Sequence, residues 1–304
     1  TLGMANYLKQ RGKEDVKVIV PDMFPNFLQW LPGTMDILRH DKKKEEAEAA
    51  TRNADLLLCL DFNDASRTAE LEPLITESTA HKVLIDHHLN PTVDADVSVS
   101  HPEACSTCEL VFRLIWQLGG FEEMDKNVAV PIYCGMMTDT GGFTYNSNRP
   151  EIFFIISQLL TKNIDKDKIY RNVNNNYSEN RLRFVGYVLN SKLKFYENQK
   201  ASIFTITREE MKRFNFIRGD AEGLVNMPLQ VKGMRLSISL REDTERDVVR
   251  VSLRSVDDFP CNKMAEEFFN GGGHLNASGG ELPFPLEEAV KTAERAIEAY
   301  SEKL

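Results

Sequence analysis

No stretch of this chain approaches the roughly 18 consecutive apolar residues of a membrane-crossing helix, so no membrane partner is expected. No secretory leader opens it either: it starts Thr1-Leu2-Gly3, without an initiator Met and without a basic segment running into an apolar one. Cysteine is sparse. Cys59, Cys105, Cys108, Cys134 and Cys261 form an odd set without paired spacing, which argues against a disulfide framework and for a reducing cytoplasm. Cys105-Ser106-Thr107-Cys108 has no second pair to complete a zinc site, and small residues ahead of an apolar run read as a helix start. Positive charge is also in deficit, with 37 Lys and Arg against 46 Asp and Glu, a net charge of −9. That balance excludes a protein that follows long duplex nucleic acid by bulk electrostatics. It leaves room for small anions held by metals, a few Arg and His side chains and backbone N–H groups.

What is present is an ordinary globular composition, 42% hydrophobic and 27% charged, in 304 residues, a length that calls for two domains. In the first half short apolar strands at Val16–Val20, Leu56–Leu60 and Val83–Ile85 alternate with helical segments at 42–53, 106–118, 126–137, 150–160 and 165–173. This predicts an α/β fold whose first domain is a doubly wound, mainly parallel sheet. A connecting helix is expected over 179–193. Beyond it, alternating strands at 202–206, 234–240 and 248–253, a charged hairpin turn at 241–247 and helices at 262–269 and 286–299 predict a second, smaller α/β domain with a mixed sheet. The expected boundaries are 1–178, 179–193 and 194–304.

The chemistry-bearing residues gather at strand ends. Asp86-His87-His88 follows Val83-Leu84-Ile85, and Asp61 follows Leu56–Leu60, so both should emerge at the carboxyl edge of the parallel sheet, where open α/β sheets place their sites. A third element, Thr138-Asp139-Thr140-Gly141-Gly142, ends a helix in a hard oxygen donor beside flexible glycines. Carboxylates mixed with imidazoles suit Mn²⁺, Mg²⁺, Co²⁺ or Zn²⁺. A carboxylate bridging two such ions about 3.5–4 Å apart would clamp an in-line attack of hydroxide on phosphorus. The reaction class suggested is phosphoester hydrolysis. In the second domain, Gly271-Gly272-Gly273-His274 is composed like an anion cradle before a helix or turn, and Arg254 could add a bidentate phosphate contact.

Leu60-Asp61, Asp86-His87-His88, Thr138-Asp139 and Gly271-Gly272-Gly273-His274, in this order, resemble the DHH phosphoesterase superfamily with its DHH-associated second domain. The likeness covers nearly the whole chain and looks most like the branch of oligoribonucleases and 3′-phosphoadenosine-5′-phosphate phosphatases, often labelled exopolyphosphatase-related. It implies an Mn²⁺-dependent phosphodiesterase and phosphatase that cuts oligoribonucleotides a few nucleotides long to nucleoside 5′-monophosphates, or dephosphorylates small phosphorylated nucleotides, as a monomer or homodimer. It further implies that Asp61 bridges two Mn²⁺ ions (Mg²⁺ or Co²⁺ in their place), that His87 and Asp139 complete a metal site, and that Asp86 orients a histidine. His88 would face the scissile phosphate, while Gly271, Gly272, Gly273, His274 and Arg254 would grip a terminal phosphate or nucleotide.

The family also carries an upstream His and Asp motif with no counterpart here, since Thr1 stands where the following helix should begin. On that count the chain as written is expected to hold at most one metal weakly and to lack activity. Alternative activities are hydrolysis of cyclic di-adenosine monophosphate or of its linear dinucleotide, exopolyphosphatase action, or nucleotide binding without catalysis.

Overall fold

The computed structural model describes all 304 residues, which divide into two compact units, Thr1–Asn176 and Tyr177–Leu304. The first unit opens with helix α1 (Leu2–Gln10) and a two-residue strand β1 (Ile19–Val20), paired in parallel with the equally short β2 (Leu38–Arg39). The strand expected over Val16–Val20 is shorter because a ladder extends only as far as its partner, and β2 offers two residues. Helix α2 (Lys44–Arg52) leads to β3 (Leu56–Leu60), the short α3 (Glu72–Thr76), β4 (His81–Asp86) and β5 (Val97–Ser100). These last three strands form a parallel sheet in sequence order, with Leu60 opposite Ile85 and Asp86 opposite Ser100.

Helices α4 (Thr107–Gln117), α5 (Lys126–Asp139), α6 (Pro150–Leu160) and α7 (Lys166–Asn174) complete the unit. Side-chain oxygens start three of them: Ser106 caps α4, Asp125 caps α5 and Asp165 caps α7. The core joins Ile85 of the sheet to Leu110, Phe112 and Ile115 of α4, Val128, Ile132 and Met136 of α5, and Ile152 and Leu159 of α6. Helix α5 is therefore apolar almost all round, as a central helix must be, and it carries Asp139 at its carboxyl end.

The second unit contains α8 (Glu179–Ser191), β6 (Lys194–Tyr196), β7 (Ala201–Ile206), α9 (Arg208–Arg213), β8 (Leu236–Glu242), β9 (Val248–Ser255), α10 (Cys261–Phe268), β10 (Gly272–His274), β11 (Ala277–Pro283) and α11 (Leu286–Ala299). Its six-stranded sheet runs β10-β11-β9-β8-β7-β6, parallel only between β7 and β8. Alternation along the strands serves two cores. Ile203, Ile238 and Leu253 pack with α10 and α11, whereas Phe204 and Ile206 pack with Phe184, Val185 and Val188 of α8. The helix expected to connect domains thus contributes to the core of the second.

One expectation is corrected here. Gly271-Gly272-Gly273 leads into no helix and lies partly in a strand: Gly272–His274 is an edge strand that a turn at 275–276 joins to Ala277–Gly279, its antiparallel partner. Two of the three glycines answer to close strand approach. A Cβ on Gly271 would lie 1.9 Å from the Gly279 carbonyl oxygen, and one on Gly273, at φ +144°, would lie 2.6 Å from that of Ala277.

Candidate metal centre

Strands β3 and β4 lie side by side in parallel, so the residues that follow them emerge together. The Asp61 amide still donates to the Ile85 carbonyl at 3.1 Å, after which Asp61 turns the chain in the left-handed region at φ 70°. A non-glycine residue there is strained, and such strain collects at functional sites. The next strand contributes three residues with separate environments. Asp86 is fully buried; its Oδ2 accepts the His88 amide at 3.1 Å and its Oδ1 lies 2.7 Å from His88 Nδ1. Burial opposes ionisation of Asp86, but these hydrogen bonds and the imidazole hold its carboxyl below the usual range.

His87 is turned by a different partner. Its Nδ1 lies 3.1 Å from the Ala104 carbonyl, which can only accept, so Nδ1 carries a proton and Nε2 is the nitrogen turned toward the carboxylates. That Nε2 stands 3.2 Å from Asp139 Oδ2 and 3.8 Å from Asp61 Oδ1. Burial raises the Asp139 carboxyl pKa, opposed by the His87 imidazole and reinforced by the Asp61 carboxylate. One donor atom each from Asp61, His87 and His88 lie within 4.8 Å of one another, and the two rings meet edge to face at 5.0 Å. This mixed oxygen and nitrogen set, with one imidazole tautomer fixed, fits a hard or borderline divalent cation. The thiols do not compete, since burial pushes Cys105 and Cys134 up to about 12 and Cys108 up to about 11.

The structure brings Asp61, Asp86, His87, His88 and Asp139 to one sheet edge and helix end in the first unit. It places His88 beside the potential ligands rather than apart from them. Arg254, Gly271, Gly272, Gly273 and His274 lie in the second unit. There the register puts His274 opposite Ala277 and Ala277 opposite Arg254, so His274 and Arg254 share a sheet face with one strand between them. Arg254 Nη1 donates to the Leu253 carbonyl at 2.8 Å.

The segment that enters α4 was legible in the sequence only as a helix start, and its contacts with the site were not. Thr107 donates its hydroxyl to Asp61 Oδ1 at 2.6 Å, and Ala104 holds His87. Behind them Glu109, fully buried, accepts the Cys105 amide at 2.7 Å, Arg149 Nη2 at 2.7 and 2.8 Å, and Arg113 Nη2 at 2.6 Å. Ser106 followed three residues later by Glu109 signals a helix start, but the acidic side chain reaches Cys105 rather than closing the usual box on the cap residue.

Two family models match: that of the DHH family, N-terminal domain, over residues 1–136, and that of the DHHA1 domain over residues 192–302. A crystal structure of an exopolyphosphatase-related protein from Bacteroides fragilis is 52% identical, with a TM-score of 0.95, over 99% of this chain and 87% of that one. The chain belongs to the DHH family. Among curated members, the bifunctional oligoribonuclease and PAP phosphatase NrnA of Thermus thermophilus is 27% identical over 100% of this chain and 85% of its own length. The cyclic-di-AMP phosphodiesterase PdeA of Listeria monocytogenes is 26% identical over 81% of this DHH chain but only 36% of its own length.

Proposed function

We propose that this DHH-family protein is a phosphoesterase that hydrolyses oligoribonucleotides a few nucleotides long to nucleoside 5′-monophosphates and dephosphorylates 3′-phosphoadenosine-5′-phosphate. The observation that carries the reading is the cluster of Asp61, His87, His88 and Asp139 at the ends of β3, β4 and α5. Asp61, His87 and Asp139 hold a divalent ion, with Mn²⁺ the first choice and Mg²⁺ or Co²⁺ in its place. When bound, such an ion supplies Lewis-acid charge to a phosphoryl group and acidifies water.

The remaining chemistry belongs to side chains. Asp86 keeps the His88 proton on Nδ1, which leaves the Nε2 side of the ring to address the phosphoryl group and follow its changing charge. His274 and Arg254 supply donor and positive charge for a terminal phosphate in the second unit. All five cysteines are free and four of them are buried, which supports a cytoplasmic setting.

The NrnA relative supports the two substrates named. The Bacteroides fragilis relative makes polyphosphate the second reading, and PdeA makes cyclic di-AMP the third. The test is an assay of full-length protein with Mn²⁺ on a dinucleotide, a series of longer single strands, 3′-phosphoadenosine-5′-phosphate, cyclic di-AMP and polyphosphate. Fast turnover of the dinucleotide and of the bisphosphorylated nucleoside is expected of protein that carries the upstream His and Asp motif the family resemblance implies. Little or none is expected of the sequence from Thr1 alone. Equal or better cleavage of long strands would overturn the preference, and binding of all ligands without turnover would make the protein a nucleotide-binding module.

A further inference from the structure

The few residues before and at the start of α4 touch the cluster twice. The Ala104 carbonyl turns His87, and three positions later the Thr107 hydroxyl donates to Asp61 Oδ1 at 2.6 Å. The two contacts differ in what they secure. His87 is 8% exposed and is packed in place, whereas the Asp61 side chain is 58% exposed on a residue whose backbone is already in the left-handed region. A carboxylate that exposed would otherwise sample several rotamers, and ordering it would cost affinity for any cation it binds.

Thr107 can supply that order because it is itself buried and held at a capped helix start. It is 5% exposed, it is the first residue of α4, and Ser106 caps that helix through the Glu109 amide. Glu109 then ties the Cys105 amide to Arg149, so the platform beneath Thr107 is cross-linked to the start of α6.

We propose that Thr107 is a positioning residue for Asp61. Its hydroxyl occupies one lone-pair direction of Oδ1 and holds the carboxylate so that the remaining ones face a divalent cation together with His87 Nε2. Thr107 touches no reacting atom; it acts through Asp61, as hydrogen-bond partners of metal-ligating carboxylates generally do. The inference rests on the reading above that Asp61 and His87 hold the ion.

The experiment is Mn²⁺ binding without substrate, followed by the electron paramagnetic resonance signal of free Mn²⁺, on full-length wild type, Thr107→Val, Thr107→Ser and Asp61→Asn. Valine keeps the branched shape and removes the donor; serine keeps the donor. Thr107→Val is expected to bind Mn²⁺ about 10- to 100-fold more weakly, while Thr107→Ser stays close to wild type and both keep the metal-free melting temperature. If Thr107→Val does not fold, Thr107→Ala is measured in its place. Wild-type affinity in the hydroxyl-free variant overturns the inference, and so does an equal loss in the valine and serine variants. A loss in Asp61→Asn alongside an unaffected Thr107→Val leaves the metal reading standing and removes only Thr107. Absence of Mn²⁺ uptake by wild type, or unchanged uptake by Asp61→Asn, removes the metal reading and this inference together.

Discussion

Asp86, fully buried at the end of β4, accepts two hydrogen bonds from one residue, the amide and the Nδ1–H of His88. The pair gives this largely buried histidine a set orientation and tautomer. Asp86→Asn keeps the size but can offer its NH₂ group to the ring, which favours the opposite tautomer. The expected outcome is a fall in kcat of about 10- to 100-fold with little change in KM, read from steady-state kinetics on a dinucleotide. An unchanged kcat would remove His88 from the chemistry.

His87 and His274 are predicted to fail differently. His87→Ala takes away the nitrogen that stands between Asp61 and Asp139, so bound Mn²⁺ should fall by about 100-fold or more, with activity falling alongside. His274→Ala leaves that cluster intact and should raise KM with kcat nearly kept, the pattern of lost uniform binding. Metal analysis and kinetics on the two variants decide. Retained metal in His87→Ala would exclude it as a ligand.

Glu109 carries a stability prediction with a definite pH sign. Burial opposes its ionisation, yet hydrogen bonds from the Cys105 amide and Arg149, with Arg113 nearby, leave its pKa lowered. A depressed folded-state value means the stabilisation is fully present above the ordinary glutamate value of about 4.3. It is lost as pH falls through the lower folded-state value. Glu109→Gln should cost about 2–3 kcal/mol at pH 7, less than a fully buried pair because both guanidinium groups remain partly exposed. Urea denaturation of wild type and variant should show the gap narrowing as pH drops below about 4. A gap that widens in acid would contradict the assignment.

The legible parts of the molecule were those set by periodicity. The helix over 150–160 and the helix over 286–299 have the bounds that their apolar spacing indicated, because a continuous stripe leaves little choice of phase or length. Strand ends bearing Asp61 and Asp86 were legible for the same reason: an apolar run stops where the polar residue begins. Partner-dependent features were not. Strands β2, β5 and β10 are short and polar or glycine-rich, and their identity comes from the neighbour they pair with. Thr107 was legible only as part of a helix start, because its contact with Asp61 spans 46 positions, which no local pattern encodes. Glycines 271 and 273 also answer to the close approach of β11, a requirement that composition alone does not reveal.

The seam between α1 and α5 yields a prediction that couples two residues. Pro131 lies within α5 and has no amide hydrogen to give the carbonyl four residues earlier, that of Asn127. The Asn6 side-chain amide of α1 donates to that carbonyl at 2.8 Å, and also to Pro32 at 3.1 Å. A helix that would otherwise carry an unpaired carbonyl is thereby tied to its neighbour. Asn6→Ala should cost about 0.5–1.5 kcal/mol, the net value of such a bond. Pro131→Ala restores a local donor, so in that background the cost of Asn6→Ala should shrink to what the Pro32 contact contributes. A double-mutant cycle by urea denaturation measures the coupling directly. Additive losses in the two variants would show that Asn6 does not substitute for the missing amide.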